Sequence, residues 1–183
     1  MLTCRATSAG SYSKIKIAGH PVHPMLVAFP VACYTGTLVG FAVYAANGHQ
    51  FWLNLAIALN VIGVCTAVLA ALAGLADWAF GIPRDSAAKQ TGLIHAGLNV
   101  AALGLFLATI ATYGANWNGP SASATLGVVL SAIGVGFTLM AGFFGWMLVQ
   151  DYHVGVKLAP EQELAEPTIQ HTPLVHLGHR HAA

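Results

Sequence analysis

Four long apolar stretches dominate the chain: residues 25–46, 52–80, 91–113 and 124–149 carry almost no ionisable groups. Each has at least 22 residues. At ~1.5 Å per helical residue, that exceeds the ~30 Å hydrocarbon core of a bilayer. The pattern predicts an all-α integral membrane protein with four transmembrane helices, over about 25–46, 52–80, 91–113 and 124–150. The second stretch is longer than one crossing needs, so it is expected to tilt or project into the interface. Short connections predict that successive helices are antiparallel neighbours in an up-down bundle.

Local signals refine the first helix. Pro24 suits its first position, which leaves His23 at the N-cap. His20 and His23 each precede a proline, which favours extended geometry for both. Pro30 has no N–H for the carbonyl of Leu26 and is expected to kink the helix. Small residues at four-residue spacing, such as Gly36 and Gly40 or Ala141 and Gly145, permit close helix packing. The two helical hairpins present no convincing internal repeat.

Composition agrees with the pattern. Of 183 residues, 56% are hydrophobic and 7% charged, against ~25% charged in soluble domains. A soluble globular domain is excluded. All seven basic residues fall in three places: Arg5, Lys14 and Lys16 before helix 1, Arg84 and Lys89 between helices 2 and 3, Lys157 and Arg180 after helix 4. The connections at 47–50 and 114–121 carry no charge. Four spans put both termini and the basic loop on one side, which the positive-inside rule makes cytoplasmic. The chain is expected in the inner membrane of a bacterium, in contact with lipid and with no nucleic acid partner. Trp52 and Trp117 would mark the outer interface, Trp78 and Trp146 the inner one.

Three regions follow: a basic segment over 1–19, the helical bundle over 20–157, and a tail over 158–183. The first lacks an apolar h-region and a small-residue cleavage site, so helix 1 is expected to be its own insertion signal. The tail is polar, proline-interrupted and carries His171, His176, His179 and His181, as a flexible or docking segment would. Cys4, Cys33 and Cys65 have no metal-type spacing.

The predicted topology brings ionisable groups to one level. His20 and His23 stand at the start of helix 1, Asp77 near the end of helix 2, His95 just inside helix 3, and His153 just past helix 4. Singly, each histidine has an interfacial explanation. Their common depth makes a ligand set. His95 is embedded in an apolar helix with Asn99 one turn deeper on the same face, and an intramembrane ionisable group is a functional candidate. Asp77 opposes the helix dipole and needs a partner, for which Arg84 or a clustered histidine is available. His49 is an exposed residue of the outer loop.

The run GHPVHPMLVAFPVA at 19–32, with GLADW at 74–78, TGLIHAGLN at 91–99 and WMLVQDYHVGV at 146–156, resembles the bacterial domain of unknown function 2231 family of membrane proteins. The resemblance covers roughly residues 18–157 and places His20, His23, Asp77, His95 and His153 at the family's motif positions. The family's glycine-rich GGxLVYRHG stretch is replaced here by GWMLVQDYHVG, without the basic residue before His153. Some members are similar to proteins fused to Rieske iron–sulfur domains, which implies membrane electron transfer by analogy.

Three functions compete. The first is a b-type haem protein, an electron-transfer subunit rather than a stand-alone enzyme, with His95 as one axial ligand and His23 or His153 as the other. His20 and the spare histidine would meet the propionates, and Gly92 and Gly97 would make room for the macrocycle. No C-x-x-C-H sequence is present, so covalent c-type attachment is excluded. The second is a non-haem zinc or iron enzyme using His95, His23, His153 and Asp77 as ligands, with Asp77 as ligand or general base. The third is a structural or assembly subunit of a larger membrane complex. A haem near the inner face would suit exchange with a redox complex or the quinone pool.

Overall fold

The computed structural model describes residues 13–121 and 123–156, with Ala159 and Glu161 beyond them. The histidine-bearing tail and the first twelve residues lie outside the described residues. Four helices are long and apolar enough to cross a membrane: Val22–Asn47, Gln50–Gly81, Ala87–Asn118 and Thr125–Gln150. The chain is an all-α membrane protein.

A short hairpin precedes the first span. Strand β1 (Lys16–Ile17) pairs antiparallel with β2 (His20–Pro21). Ala18 and Gly19 turn the corner with φ of 51° and 82°. Two consecutive positive φ values are the geometry that joins two strands tightly.

The first span divides into α1 (Val22–Leu26) and α2 (Ala28–Asn47). Pro30 leaves the Leu26 carbonyl without its helical donor, and the helix is interrupted one turn back, at Val27. The expected break is present. The expected N-cap is not. The helix begins at Val22 with Pro21 as its N-cap (φ −61°, ψ 130°). His20 is extended, but His23 is helical, the second residue of α1 rather than its N-cap. The pre-proline preference is a bias, and a proline in a first helical turn breaks no intrahelical bond because those N–H groups are unpaired anyway.

Helix α2 ends at Gly48, left-handed at φ 67°, whose N–H bonds the Tyr44 carbonyl at 2.8 Å. Glycine takes that C-terminal position without a Cβ penalty. Helix α3 runs Gln50–Gly81, 32 residues. Helix α4 (Ala87–Tyr113) starts on Ser86, whose hydroxyl accepts from the Lys89 N–H at 3.2 Å. It begins four residues before the apolar stretch that marks it, because the serine cap sets its start. Helix α5 (Thr125–Gln150) completes the bundle.

The outer surface is apolar, with Leu72, Phe80, Val100, Leu139 and Phe143 all exposed. Inside, Thr37, Asn60, Thr109 and Ser131 are fully buried. Hydrophobic burial does not drive helices together in lipid; close packing and internal hydrogen bonds do. Close packing is built from rings on glycines. A Cβ on Gly63 would lie 2.9 Å from the Tyr34 ring. One on Gly127 would lie 2.7 Å from Phe41. Tyr34 stacks on Phe106 at 3.6 Å between ring centres, and Phe41 tilts against Tyr113 at 4.7 Å.

Candidate functional site

Of the five predicted site residues, two meet. The His23 and His95 ring centres are 6.0 Å apart, with planes at 87°. His23 is carried by α1 and His95 by the third turn of α4. Each ring is fixed in the same way. His23 Nδ1 lies 2.8 Å from the Ala70 carbonyl, and His95 Nδ1 lies 2.8 Å from the Ala141 carbonyl. A carbonyl only accepts, so each Nδ1 carries the proton and donates it. In the neutral ring, each Nε2 is then left as a lone-pair donor to whatever faces it.

A glycine seats each ring. A Cβ on Gly74 would stand 2.8 Å from His23 Cε1 and Nδ1. One on Gly145 would stand 3.1 Å from His95 Cε1 and 3.3 Å from its Nδ1. These two glycines and the two carbonyls were not among the predicted site residues. Their signal is present: AALAG at 70–74 and AGFFG at 141–145 repeat the same Ala-x-x-x-Gly spacing. Gly92 and Gly97 do not line the pair as expected. Gly92 is filled by Trp78, 2.7 Å from a Cβ placed there, while Gly97 faces open space. At ~100° per residue, Gly97, two positions after His95, points away from its face, whereas Gly92, three before, is on the same side and is taken up by Trp78.

Asn99 lies one turn deeper than His95, as the spacing predicts. Its amide donates to the His95 carbonyl at 2.9 Å and lies 3.2 Å from His95 Nε2.

The other predicted residues lie elsewhere at this end of the bundle. Asp77 finds its partner in the segment before the first span, not in Arg84 or a histidine. Its Oδ2 accepts from the Ser13 hydroxyl at 2.7 Å, and its Oδ1 from the N–H groups of Lys14 and Ile15 at 2.6 and 3.2 Å. Those donors answer the unfavourable dipole at the end of α3. His20 sits exposed on β2. His153 closes α5 in a left-handed conformation (φ 50°), with the Val154 N–H on the Leu148 carbonyl at 2.9 Å. That is the closing position glycine usually fills. Nearby, Trp78 Nε1 donates to the Lys89 carbonyl at 3.0 Å, and Lys89 Nζ reaches the Trp78 carbonyl and lies 3.9 Å from a Trp78 ring centre. These bonds tie the α3–α4 connection.

Among the described residues, no group of three or more His, Cys, Asp or Glu is arranged to hold a metal ion. Chemically, the site is a pair of oriented imidazoles from separate helices.

Fold and site together define a multi-pass helical membrane protein with a paired-histidine centre at one end. The chain belongs to the family described as "Predicted membrane protein (DUF2231)", whose model matches residues 19–158. Searches among curated proteins and solved structures found no match.

Proposed function

We propose that this is a b-type haem protein of electron transfer, with His23 and His95 as the axial ligands. The pairing of these two rings carries the reading. Haem iron needs only one imidazole on each face. Two imidazoles that would hold one cofactor between them must be brought close from separate helices, and an edge-to-face pair meets that need. The rings here are 6.0 Å apart. Tying Nδ1–H to a carbonyl also fixes the tautomer in which Nε2 is the ligand. Small residues surround the rings: Ala70, Gly74, Ala141 and Gly145. The donor set therefore fits haem b better than a zinc or iron site of three or four ligands, for which Asp77 is already engaged.

Bound haem supplies one-electron redox chemistry. The chain's residues would hold and orient both imidazoles, and its apolar helices would exclude water from the site. Asn99 must turn from His95 Nε2, and its bond to the His95 carbonyl keeps a partner for it. His20 and His153, at the same end, are the candidates to meet the propionates.

The same reading carries the topology. His23, early in the first span, meets Ala70 and Gly74, late in the second. His95, early in the third, meets Ala141 and Gly145, late in the fourth. Such contacts support an up-down bundle. Lys14, Lys16, Arg84 and Lys89 gather at this end, which supports cytoplasmic termini and an inner-membrane location. Redox partners are then the quinone pool or a larger membrane complex.

One observation favours a second reading. With Asn99 on Nε2 and Ala141 on Nδ1, His95 is fully satisfied, so the pair can serve as a structural clasp in an assembly subunit. The purified full chain separates the two. Haem binding gives a Soret band and a reduced α-band of b type, and His23→Ala and His95→Ala each abolish most of it. A colourless wild type, or either variant with full haem, overturns the haem assignment.

A further inference from the structure

We infer that the chain is two equivalent helical hairpins, α1–α3 and α4–α5, related by a two-fold axis running along the bundle. The imidazole pair is then a symmetric clamp built twice from one pattern. Among the described residues, the three ring pairs that join different helices all link residues 72 positions apart: 23 with 95, 34 with 106, 41 with 113. Rings that meet at one constant offset are what an axis between α2 and α4 produces, since an on-axis residue contacts its own equivalent.

Burial follows the same offset. The buried residues of α4 from Ala102 onward are Ala102, Phe106, Thr109 and Tyr113. Moved back by 72, they fall on Pro30, Tyr34, Thr37 and Phe41, all buried in α2. The buried residues of α5 are Gly127, Ser131, Gly134 and Ala141. Moved back by 71, they fall on Ala56, Asn60, Gly63 and Ala70, all buried in α3. The offset falls by one because the second hairpin covers the path between equivalent buried positions, Tyr113 to Gly127, in one residue fewer than the first takes from Phe41 to Ala56.

Contacts repeat as well as burial. Gly63 seats Tyr34, and Gly134 seats Phe106. Gly74 seats His23, and Gly145 seats His95. Ala70 and Ala141 accept from the two Nδ1–H groups at the same 2.8 Å. Thr37 and Thr109, both fully buried, each donate back to the carbonyl four residues earlier, at 2.9 Å.

The symmetry assigns roles within the clamp. Gly74 and Gly145 are its positioning residues, each setting how close one imidazole lies to the neighbouring helix. The two halves differ where one half carries an added device. Asn99 corresponds to Val27, which has no side-chain donor, so only His95 has an amide at its Nε2. Asp77 corresponds to Leu148, so only the first hairpin anchors a preceding segment. The haem reading above gains from this symmetry two equivalent axial positions, but the repeat itself rests on packing alone.

The test is 15N-histidine NMR of the full chain in detergent, with His23 and His95 assigned by His→Gln variants. Both signals are expected to show the neutral Nδ1–H tautomer in protein purified without haem. Gly74→Ala should shift or abolish that pattern for His23 alone, and Gly145→Ala for His95 alone, more mildly because its space is larger. A different tautomer at either histidine, or a glycine variant that leaves its own histidine unmoved, overturns the symmetric clamp. Both patterns present in a chain that never takes up haem would leave the repeat standing and defeat the haem assignment.

Discussion

Replacing Asp77 by alanine removes the acceptor of three hydrogen bonds, from Ser13 Oγ, Lys14 N and Ile15 N. Bonds to a charged group contribute about 1.5–3 kcal/mol each. Lys14 and Ile15 are exposed, so water competes and the lower figure applies. At that figure, losing the acceptor should lower the free energy of local opening by roughly 1.5 kcal/mol where one amide opens alone and roughly 3 kcal/mol where both open together. With ~1.4 kcal/mol per tenfold, their hydrogen exchange should accelerate about 10- to 100-fold. Exchange in the helix interiors should not change, since opening of a surface segment is local. Asp77→Asn keeps one oxygen acceptor and should fall between. Hydrogen exchange resolved at Lys14 and Ile15 is the assay, run beside an absorption spectrum. Unchanged exchange with loss of a bound cofactor would refute the anchoring role and return Asp77 to the ligand set.

Two further outcomes follow from the site's geometry. Asn99→Leu removes the amide at His95 Nε2 but not the clamp on Nδ1; under the haem reading the cofactor spectrum survives, whereas a structural clasp loses thermal stability and no cofactor is seen. His153 holds a left-handed backbone that costs roughly 1 kcal/mol relative to glycine. His153→Gly should therefore melt a few degrees above His153→Ala, which loses the same ring but keeps the Cβ, and equal melting would remove the backbone cost.

Much of the fold is written in composition. Apolar stretches long enough to cross a bilayer have few alternatives in water, and the structure places helices within a few residues of each. The start of α4 moved because one serine capped it, and the start of α1 because a first turn tolerates proline. His95 with Asn99 was legible because helical spacing alone relates them. The partner of Asp77 was not, since it is the backbone of a segment more than sixty residues earlier, and backbone donors leave no mark on residue type. The internal repeat was hidden for a different reason. Identity survives only at scattered positions, such as His23 with His95, Thr37 with Thr109 and Gly74 with Gly145, while Tyr34 answers Phe106, Pro30 answers Ala102 and Asn60 answers Ser131. Contact between equivalent rings supplies the offset that aligns those scattered positions.

The central claim, one cofactor held between His23 and His95, is tested most directly by haem stoichiometry. Full-length protein purified from haem-replete cells is assayed for haem b and iron per chain, with low-temperature EPR of the oxidised form. The account predicts one haem b per chain and the low-spin signal of iron with two imidazole ligands. Haem-free protein, or haem whose signal shows fewer than two imidazoles, would contradict it.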